Sequence, residues 1–166
     1  LGVKQKKVGA GCRFGLGGKL QDGEDPRLCT VRETKEESGG KINDTKGFVV
    51  EPEDLEPYAC IDFYNGEKSY RPHESQNEPT FRVLFYTCSR FTGEAIDTDE
   101  MKDVKPFLID DVLSGAIDAE LKPGDREILS FVLTGNPVKG WLWFSSDEKR
   151  VLGYELTPCD QKELIL

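Results

Sequence analysis

The chain has 166 residues, of which 22 are basic and 31 acidic, giving a formal net charge of −9. This length fits a single domain over residues 1–166, no apolar run reaches the roughly 20 residues of a membrane span, and 37% hydrophobic residues suffice for a packed core. The acidic balance disfavours a nucleic-acid polymer as partner, because phosphate backbones attract Lys and Arg, whereas a small phosphate ligand held through cations stays compatible with it.

The first 21 residues combine basic charge with glycine. They contain no acidic residue and five basic ones: Lys4, Lys6, Lys7, Arg13 and Lys19. Glycine lets backbone N–H groups approach an anion closely. The segment is either a surface that approaches phosphate or a flexible, solvated terminus, and composition alone leaves both open.

The remaining pattern predicts two helices among several strands. The first helix begins at Asp25 and Pro26, as N-cap and first helical residue, and ends at Gly39 and Gly40. The second runs from Asp125, as its N-cap, to Leu133. The predicted strands are 47–50, 58–64, 81–88, 104–109, 140–144 and 151–156, with a long hairpin loop between residues 64 and 80. This mixture indicates an α+β fold with a mixed sheet.

The first helix carries an unusual crowd of carboxylates. Glu33, Glu36 and Glu37 lie at positions i, i+3 and i+4, so their side chains share one face and repel one another. A hard divalent cation among them makes this arrangement favourable, since Mg²⁺ prefers oxygen ligands and substrate phosphates. Arg32 lies four residues before Glu36 and can orient a carboxylate. The alternative is a solvated acidic face.

The spacing around these carboxylates matches a known motif. The fixed residues are Gly18, Glu24, Arg32, Glu33, Glu36, Glu37 and Gly39. All seven match the Nudix box, and the chain resembles the Nudix hydrolase family, within it the MutT-like subgroup that includes mammalian enzymes for oxidised purine nucleoside triphosphates. Thr34 and Gly40 depart from the bulky aliphatic residues of the motif. The resemblance implies an α/β/α sandwich with a mixed sheet between helices.

One departure concerns the start of the chain. The opening strand of the family falls before Leu1, so the sequence either lacks that strand or replaces it with another segment such as Lys162–Leu166. We therefore expect an N-terminally truncated domain.

The resemblance also implies a metal site. Its ligands are the Gly17 carbonyl and the side chains of Glu33, Glu36, Glu37 and Glu100, the last from an acidic loop. They would bind Mg²⁺, with Mn²⁺ as a substitute. Arg32 and the three box glutamates form the implied catalytic group, in which Glu36 or Glu37 takes a proton.

A further group of residues is expected to bind the substrate. Lys4 and Lys19 would neutralise phosphate charge, and the full set is Lys4, Phe14, Gly15, Gly17, Gly18, Lys19, Tyr64, Phe81 and Asp125. The family's base-recognition positions differ here, because its pocket Asn aligns with Phe14 and its Trp-Pro-Asp-Asp aligns with residues 122–125. Specificity for oxidised purines is therefore not carried over.

The function expected from this sequence is Mg²⁺-dependent hydrolysis of a nucleoside triphosphate to the monophosphate and pyrophosphate, an oxidised purine nucleotide being one candidate substrate. The alternatives are another nucleoside diphosphate-linked substrate, a non-catalytic nucleotide-binding module and an inactive fragment. Five scattered cysteines without a CxxC pair, and no visible signal peptide, predict free thiols in a cytoplasmic protein. We expect a monomer with a nucleotide as partner and no membrane contact.

Overall fold

The computed structural model describes residues 1–6, 9–41, 46–66 and 78–164. Within these ranges the strands are β1 (Gly2–Lys4), β2 (Arg13–Phe14), β3 (Leu55–Asn65), β4 (Phe81–Cys88), β5 (Met101–Lys102), β6 (Val138–Phe144) and β7 (Val151–Pro158). The α-helices are α1 (Pro26–Glu37), α2 (Ile109–Leu113) and α3 (Asp125–Leu133). Short 3₁₀ turns lie at Pro52–Asp54, Asp118–Glu120 and Gln161–Leu164.

The strands form two sheets. The larger has the order β4-β3-β6-β7, and it is mixed, because β3 and β6 run parallel while the other neighbours are antiparallel. The smaller is antiparallel, with β1 between β2 and β5. The predicted α+β class and mixed sheet are confirmed, with the strands divided between two sheets.

The core lies where α3 packs against the larger sheet. Ile128 of α3 is 1% exposed and joins a cluster of buried side chains from β3 and β6: Ala59, Ile61, Val138, Leu142 and Phe144. A second cluster, of Val112, Ile117 and Leu121, packs against the other side of α3. The helix is thus fixed from both sides, and its first turn is held near the end of β6.

Helix α1 confirms the sequence prediction at both ends. The carboxylate of Asp25 accepts hydrogen bonds from the N–H groups of Arg27 and Leu28 at 2.8 and 3.3 Å, which caps the helix. At the other end Gly39 adopts the left-handed conformation, with φ 91°, and its N–H donates to the carbonyl of Glu36 at 3.1 Å. This closing turn is typical of a helix that ends at glycine.

Two predicted strands are wrong. Residues 104–109 form no strand; β5 stops at Lys102 because Asp103 turns into the left-handed region, with φ 47°, and Ile109 already begins α2. The predicted strand 47–50 shrinks to a single bridge between Val49 and Thr92. Gly47 has φ 72°, which is incompatible with a continuous strand.

Three smaller differences concern the second helix, the hairpin loop and the C-terminal segment. Asp125 does not cap α3; Gly124 does, with φ 91°, and Asp125 is the first helical residue. Residues 67–77 of the predicted hairpin loop lie outside the described residues. Residues 161–164 form a 3₁₀ turn and not a replacement strand. In the parts of the chain that the structure describes, no helix is both long and apolar enough to span a membrane.

Candidate active site

An ion-pair network joins the glycine-rich loop, residues 15–24, to α1. Arg32 donates from Nε and Nη2 to the two carboxylate oxygens of Glu24, at 2.8 and 2.9 Å. The backbone N–H of Gln21 donates to the same carboxylate at 2.9 Å. The hydrogen bonds from Arg32 have the largest effect on the pKa of Glu24, and together with the bond from this N–H they lower it to about 2. Glu24 is therefore ionised at neutral pH, and its role is to fasten the loop to the helix.

The same guanidinium also faces the helix. Its Nη1 donates to Glu33 at 2.5 Å and lies 3.5 Å from the carboxylate of Glu36. The hydrogen bonds that Arg32 donates to Glu24 and Glu33 raise its pKa. One permanent positive charge thus offsets part of the repulsion between the carboxylates of α1, as expected for a fork-shaped donor.

Glu37 is the most enclosed of these carboxylates. The residue is 3% exposed. One of its oxygens accepts the N–H of Gly17 at 2.9 Å, and the other forms an ion pair with the ammonium group of Lys4. A buried charge needs such partners, so the loop and β1 are both tied to this residue.

The three box glutamates differ in exposure. Their side chains are 17% (Glu33), 49% (Glu36) and 4% (Glu37) exposed, so two face the loop and one faces outward. Glu33 packs directly on Gly18, where a Cβ would overlap its carboxyl group. A side chain at position 18 would therefore displace the Glu33 carboxylate, although the φ of this residue is not unusual.

The acidic loop, residues 97–103, lies beside this site. The N–H of Ile96 donates to the carbonyl of Ser38, next to Glu37, at 2.9 Å. The N–H of Gln5 donates to the carbonyl of Glu100 at 2.8 Å, and Met101 pairs with Lys4 in the small sheet. Glu100 therefore immediately precedes the strand partner of Lys4, whose ammonium group contacts Glu37.

The donor chemistry of this region fits a hard divalent cation. Carboxylate oxygens of Glu33 and Glu37 lie against Gly18 and Gly17, whose lack of side chains leaves room for them. In the described part of the chain, no three acidic, His or Cys side chains converge in a way that would hold a metal ion. Lys4 and Arg32, both cationic, hold the carboxylates of Glu37 and Glu33 instead.

A second polar cluster lies at the start of α3. The ammonium group of Lys122 lies 4.6 Å from the ring centroid of Phe144 and 3.2 Å from a carboxylate oxygen of Glu148. The amide of Asn65 donates to the other oxygen of Glu148 at 2.8 Å. Burial raises the pKa of Asp125 to about 7, and the nearby Lys122 opposes this shift. The cluster therefore combines a titratable carboxyl group with a positive charge on an aromatic floor.

A short bridge connects this cluster with the glycine loop. Arg13 of β2 pairs in parallel with Leu121, the residue before Lys122. Phe14 follows Arg13, so it lies at the junction, and its ring packs against Gly9. The exposed loop residues Gly15, Gly18 and Lys19 continue from there to α1.

The sheet separates two of the predicted substrate-binding residues. Phe81 pairs with Phe63, so both side chains lie on the sheet face that carries α3 and Asp125. Tyr64 is the next residue of β3 and therefore lies on the opposite face. Phe81 and Asp125 therefore share one face of the larger sheet, and Tyr64 lies on the opposite face.

Sequence reasoning missed Glu148 and Asn65. Glu148 lies 26 residues from Lys122 and 83 from Asn65, in the turn between β6 and β7. A charged hairpin turn is the only local signal, and it does not indicate a partner. The contact follows from the parallel pairing of β3 with β6, which brings Asn65 opposite Phe144.

The glycine-rich loop, α1 and Lys4 bring carboxylates and an ammonium group together at one place. The family model of the NUDIX domain matches residues 1–131, a span that contains α1, the acidic loop and Asp125. The chain belongs to the Nudix family. Members of this family bind nucleotides, hydrolyse nucleoside diphosphate-linked substrates at phosphoric anhydride bonds and generally use divalent metal ions such as Mg²⁺.

Proposed function

We propose that this chain is a MutT-like member of the family that hydrolyses a nucleoside triphosphate to the monophosphate and pyrophosphate, with Mg²⁺ as cofactor. The observation that carries the proposal is the packing of Glu33 and Glu37 against Gly17 and Gly18, with the ammonium group of Lys4 at the same place. Carboxylates and a lysine side by side suit a cation-bridged phosphate chain.

The roles follow from this placement. Glu33, Glu36, Glu37, Glu100 and the Gly17 carbonyl would hold the divalent ions. When bound, such ions neutralise charge on the phosphoryl oxygens and lower the pKa of water. Glu36 or Glu37 accepts the proton of the attacking water. Lys4 exchanges its contact with Glu37 for a phosphate oxygen, and Lys19 adds charge from the exposed loop.

The polar cluster at the start of α3 is the proposed base-binding end. Asp125, with a pKa near neutrality, can donate or accept a hydrogen bond at a base edge, and Lys122 can donate one. Phe14 and Phe81 supply aromatic surface. A purine base presents both hydrogen-bond donors and acceptors, and so does an oxidised purine. Such a base matches this set of residues better than a substrate group without donors and acceptors.

The test is a substrate panel with Mg²⁺. Ordinary and oxidised purine and pyrimidine nucleoside triphosphates would be compared with nucleoside diphosphate sugars and dinucleoside polyphosphates, and pyrophosphate and orthophosphate would be measured separately. We expect pyrophosphate from a triphosphate. The Glu36→Gln and Glu37→Gln variants should include one with a turnover about 10²–10⁴-fold lower, while Glu56→Gln, on the exposed side of β3, should match the wild type.

Other outcomes would point elsewhere. Preferred turnover of a diphosphate-linked substrate would replace the triphosphate as substrate while keeping the site. Nucleotide binding without release of phosphate would indicate a binding module. Unchanged turnover in both glutamine variants would contradict the assigned roles.

A further inference from the structure

Arg13 is a buried basic residue outside the ion-pair network of α1. It is 6% exposed. Its Nη2 donates to the Asp103 carboxylate at 2.6 Å, its Nη1 to the Asp103 carbonyl at 3.2 Å and its Nε to Glu120 at 2.6 Å. Its guanidinium carbon lies 5.0 Å from the ring centroid of Phe107. Every one of these contacts reaches a residue that is distant in the sequence.

The main partner of Arg13 closes the acidic loop. The backbone N–H of Asp103 donates to the carboxylate of Asp97 at 2.9 Å, so the two ends of segment 97–103 are joined there. Asp103 has φ 47°, a left-handed conformation that is uncommon for residues other than glycine, although Asp is among those that adopt it most often, and contacts to the surrounding structure give it further support. The bidentate contact from Arg13 to its side chain and carbonyl supplies that support.

Glu100 lies inside the segment that this contact closes. The hydroxyl of Thr98 accepts the N–H groups of Glu100 and Met101 at 3.2 and 2.8 Å, and the N–H of Thr98 donates to the Met101 carbonyl at 2.8 Å. The loop therefore has an internal shape of its own. Backbone hydrogen bonds hold it against β1, through Gln5, and against the end of α1, through Ile96, and Arg13 adds a side-chain anchor at Asp103 from β2.

We propose that Arg13 is a positioning residue, which holds the Asp97–Asp103 loop so that Glu100 faces the carboxylates of α1, and thereby sets the affinity of the site for divalent metal ions. The inference rests on the proposed function, in which Glu100 is a metal ligand. Arg13 itself contacts neither metal nor substrate. Lysine would keep the charge but lose the fork that grips both the side chain and the carbonyl of Asp103.

The test is Mn²⁺ binding to the metal-free protein, measured by electron paramagnetic resonance of the free ion, with no substrate present. We expect Arg13→Gln to weaken binding by about 10-fold or more, as for other residues that orient metal ligands, and Arg13→Lys to restore only part of the affinity. Arg82→Gln is the matched control, because Arg82 forms a similar fork to Asp62, at 2.6 and 2.8 Å, on the larger sheet. It should bind Mn²⁺ like the wild type.

A double variant separates positioning from general destabilisation. If Arg13 acts through Glu100, then Arg13→Gln has little further effect on Mn²⁺ affinity in a Glu100→Gln background. Equal losses in both backgrounds, or unchanged affinity in folded Arg13→Gln, would overturn the inference. If Arg13→Gln does not fold, Asp103→Asn takes its place, because it replaces an acceptor oxygen of the fork with an amide nitrogen. We expect its effect on Mn²⁺ affinity to depend on Glu100 in the same way. An effect that does not depend on Glu100 would equally overturn the inference.

The outcome for Glu100→Gln alone distinguishes the two proposals. If that variant keeps the wild-type affinity for Mn²⁺, the ligand role of Glu100 in the proposed function fails, and the inference about Arg13 falls with it. If Glu100→Gln weakens binding while Arg13→Gln does not, only the inference about Arg13 is refuted.

Discussion

At the level of single residues, Gly18 tests how closely the loop must approach α1. A methyl group at this position would overlap the carboxyl group of Glu33, and no left-handed φ complicates the substitution. We expect Gly18→Ala to displace Glu33 and to lower kcat by about 10²-fold, the cost of an ångström-scale shift near the reacting groups.

The control for Gly18→Ala is Gly153→Ala in β7. There an added Cβ meets its nearest neighbours at 3.7 Å, an ordinary contact. Steady-state turnover of the preferred substrate and a thermal melt would be measured for both variants. A Gly18→Ala enzyme with normal turnover would show that the tight packing of Glu33 on the loop is not needed for activity.

Asp125 gives a pH-dependent prediction. Its pKa is raised to about 7 by burial, so the folded protein binds this proton more tightly than the unfolded chain does. The free energy of unfolding should therefore fall as the pH rises from about 4 to about 7 and level off above, by at most about 4 kcal/mol from this group. Urea denaturation across that range measures the effect.

The Asp125→Asn variant removes the titrating group. It should flatten the pH dependence of stability between pH 4 and 7, while Asp110→Asn, at an exposed site of α2, should keep it. A slope that survives in Asp125→Asn would mean that another group is responsible.

At the level of elements, α1 leaves space beside the glycine-rich loop. A cavity of about 220 Å³ lies between the helix and the ends of β3 and β4. Thr34 lines it together with Phe48, Tyr86 and Phe91. At the other departure from the box pattern, Gly40, a Cβ would overlap the carbonyl of Lys46. The two departures therefore have different causes, a void in one case and a close backbone contact in the other.

Thr34→Ile should partly fill this cavity. We expect it to stabilise the protein by about 1 kcal/mol, through burial of roughly one additional methylene group without an added polar atom. Turnover should be unchanged, because Thr34 contributes no charged or ligating group to the candidate site. Thr157→Ile, at an exposed position of β7, is the control for hydrophobicity alone. A loss of stability in urea denaturation of Thr34→Ile would show that the space cannot accept a side chain.

The elements also show how far the sequence alone leads. The cap at Asp25 and the glycine at position 39 are local signals, and they place α1 correctly. The strand predicted at 104–109 fails because its fate depends on tertiary contacts: Asp103 is turned by Arg13, 90 residues away, and the N–H of Lys105 bonds to Leu1. In the candidate site, the spacing of the glutamates predicts their common helix and a carboxylate partner for Arg32, but not that Lys4 would hold Glu37.

For the whole molecule, the two sheets contribute different ends of the candidate site. The small sheet brings Lys4 and the acidic loop to α1, and the larger sheet with α3 brings Lys122 and Asp125. The bridge between Arg13 and Leu121 joins them. In a chain of net charge −9, an anionic ligand depends on such local cations, because the overall field repels it. Divalent ions would supply the remaining positive charge.

The most direct test of the central claim is anomalous diffraction from crystals grown with Mn²⁺. The account predicts an anomalous peak within direct ligand distance of the Glu33, Glu36 or Glu37 carboxylates and beside the Gly17–Gly18 backbone, with the ammonium group of Lys4 withdrawn from Glu37. A saturated crystal with Mn²⁺ bound only elsewhere, and with the Lys4–Glu37 ion pair intact, would contradict it.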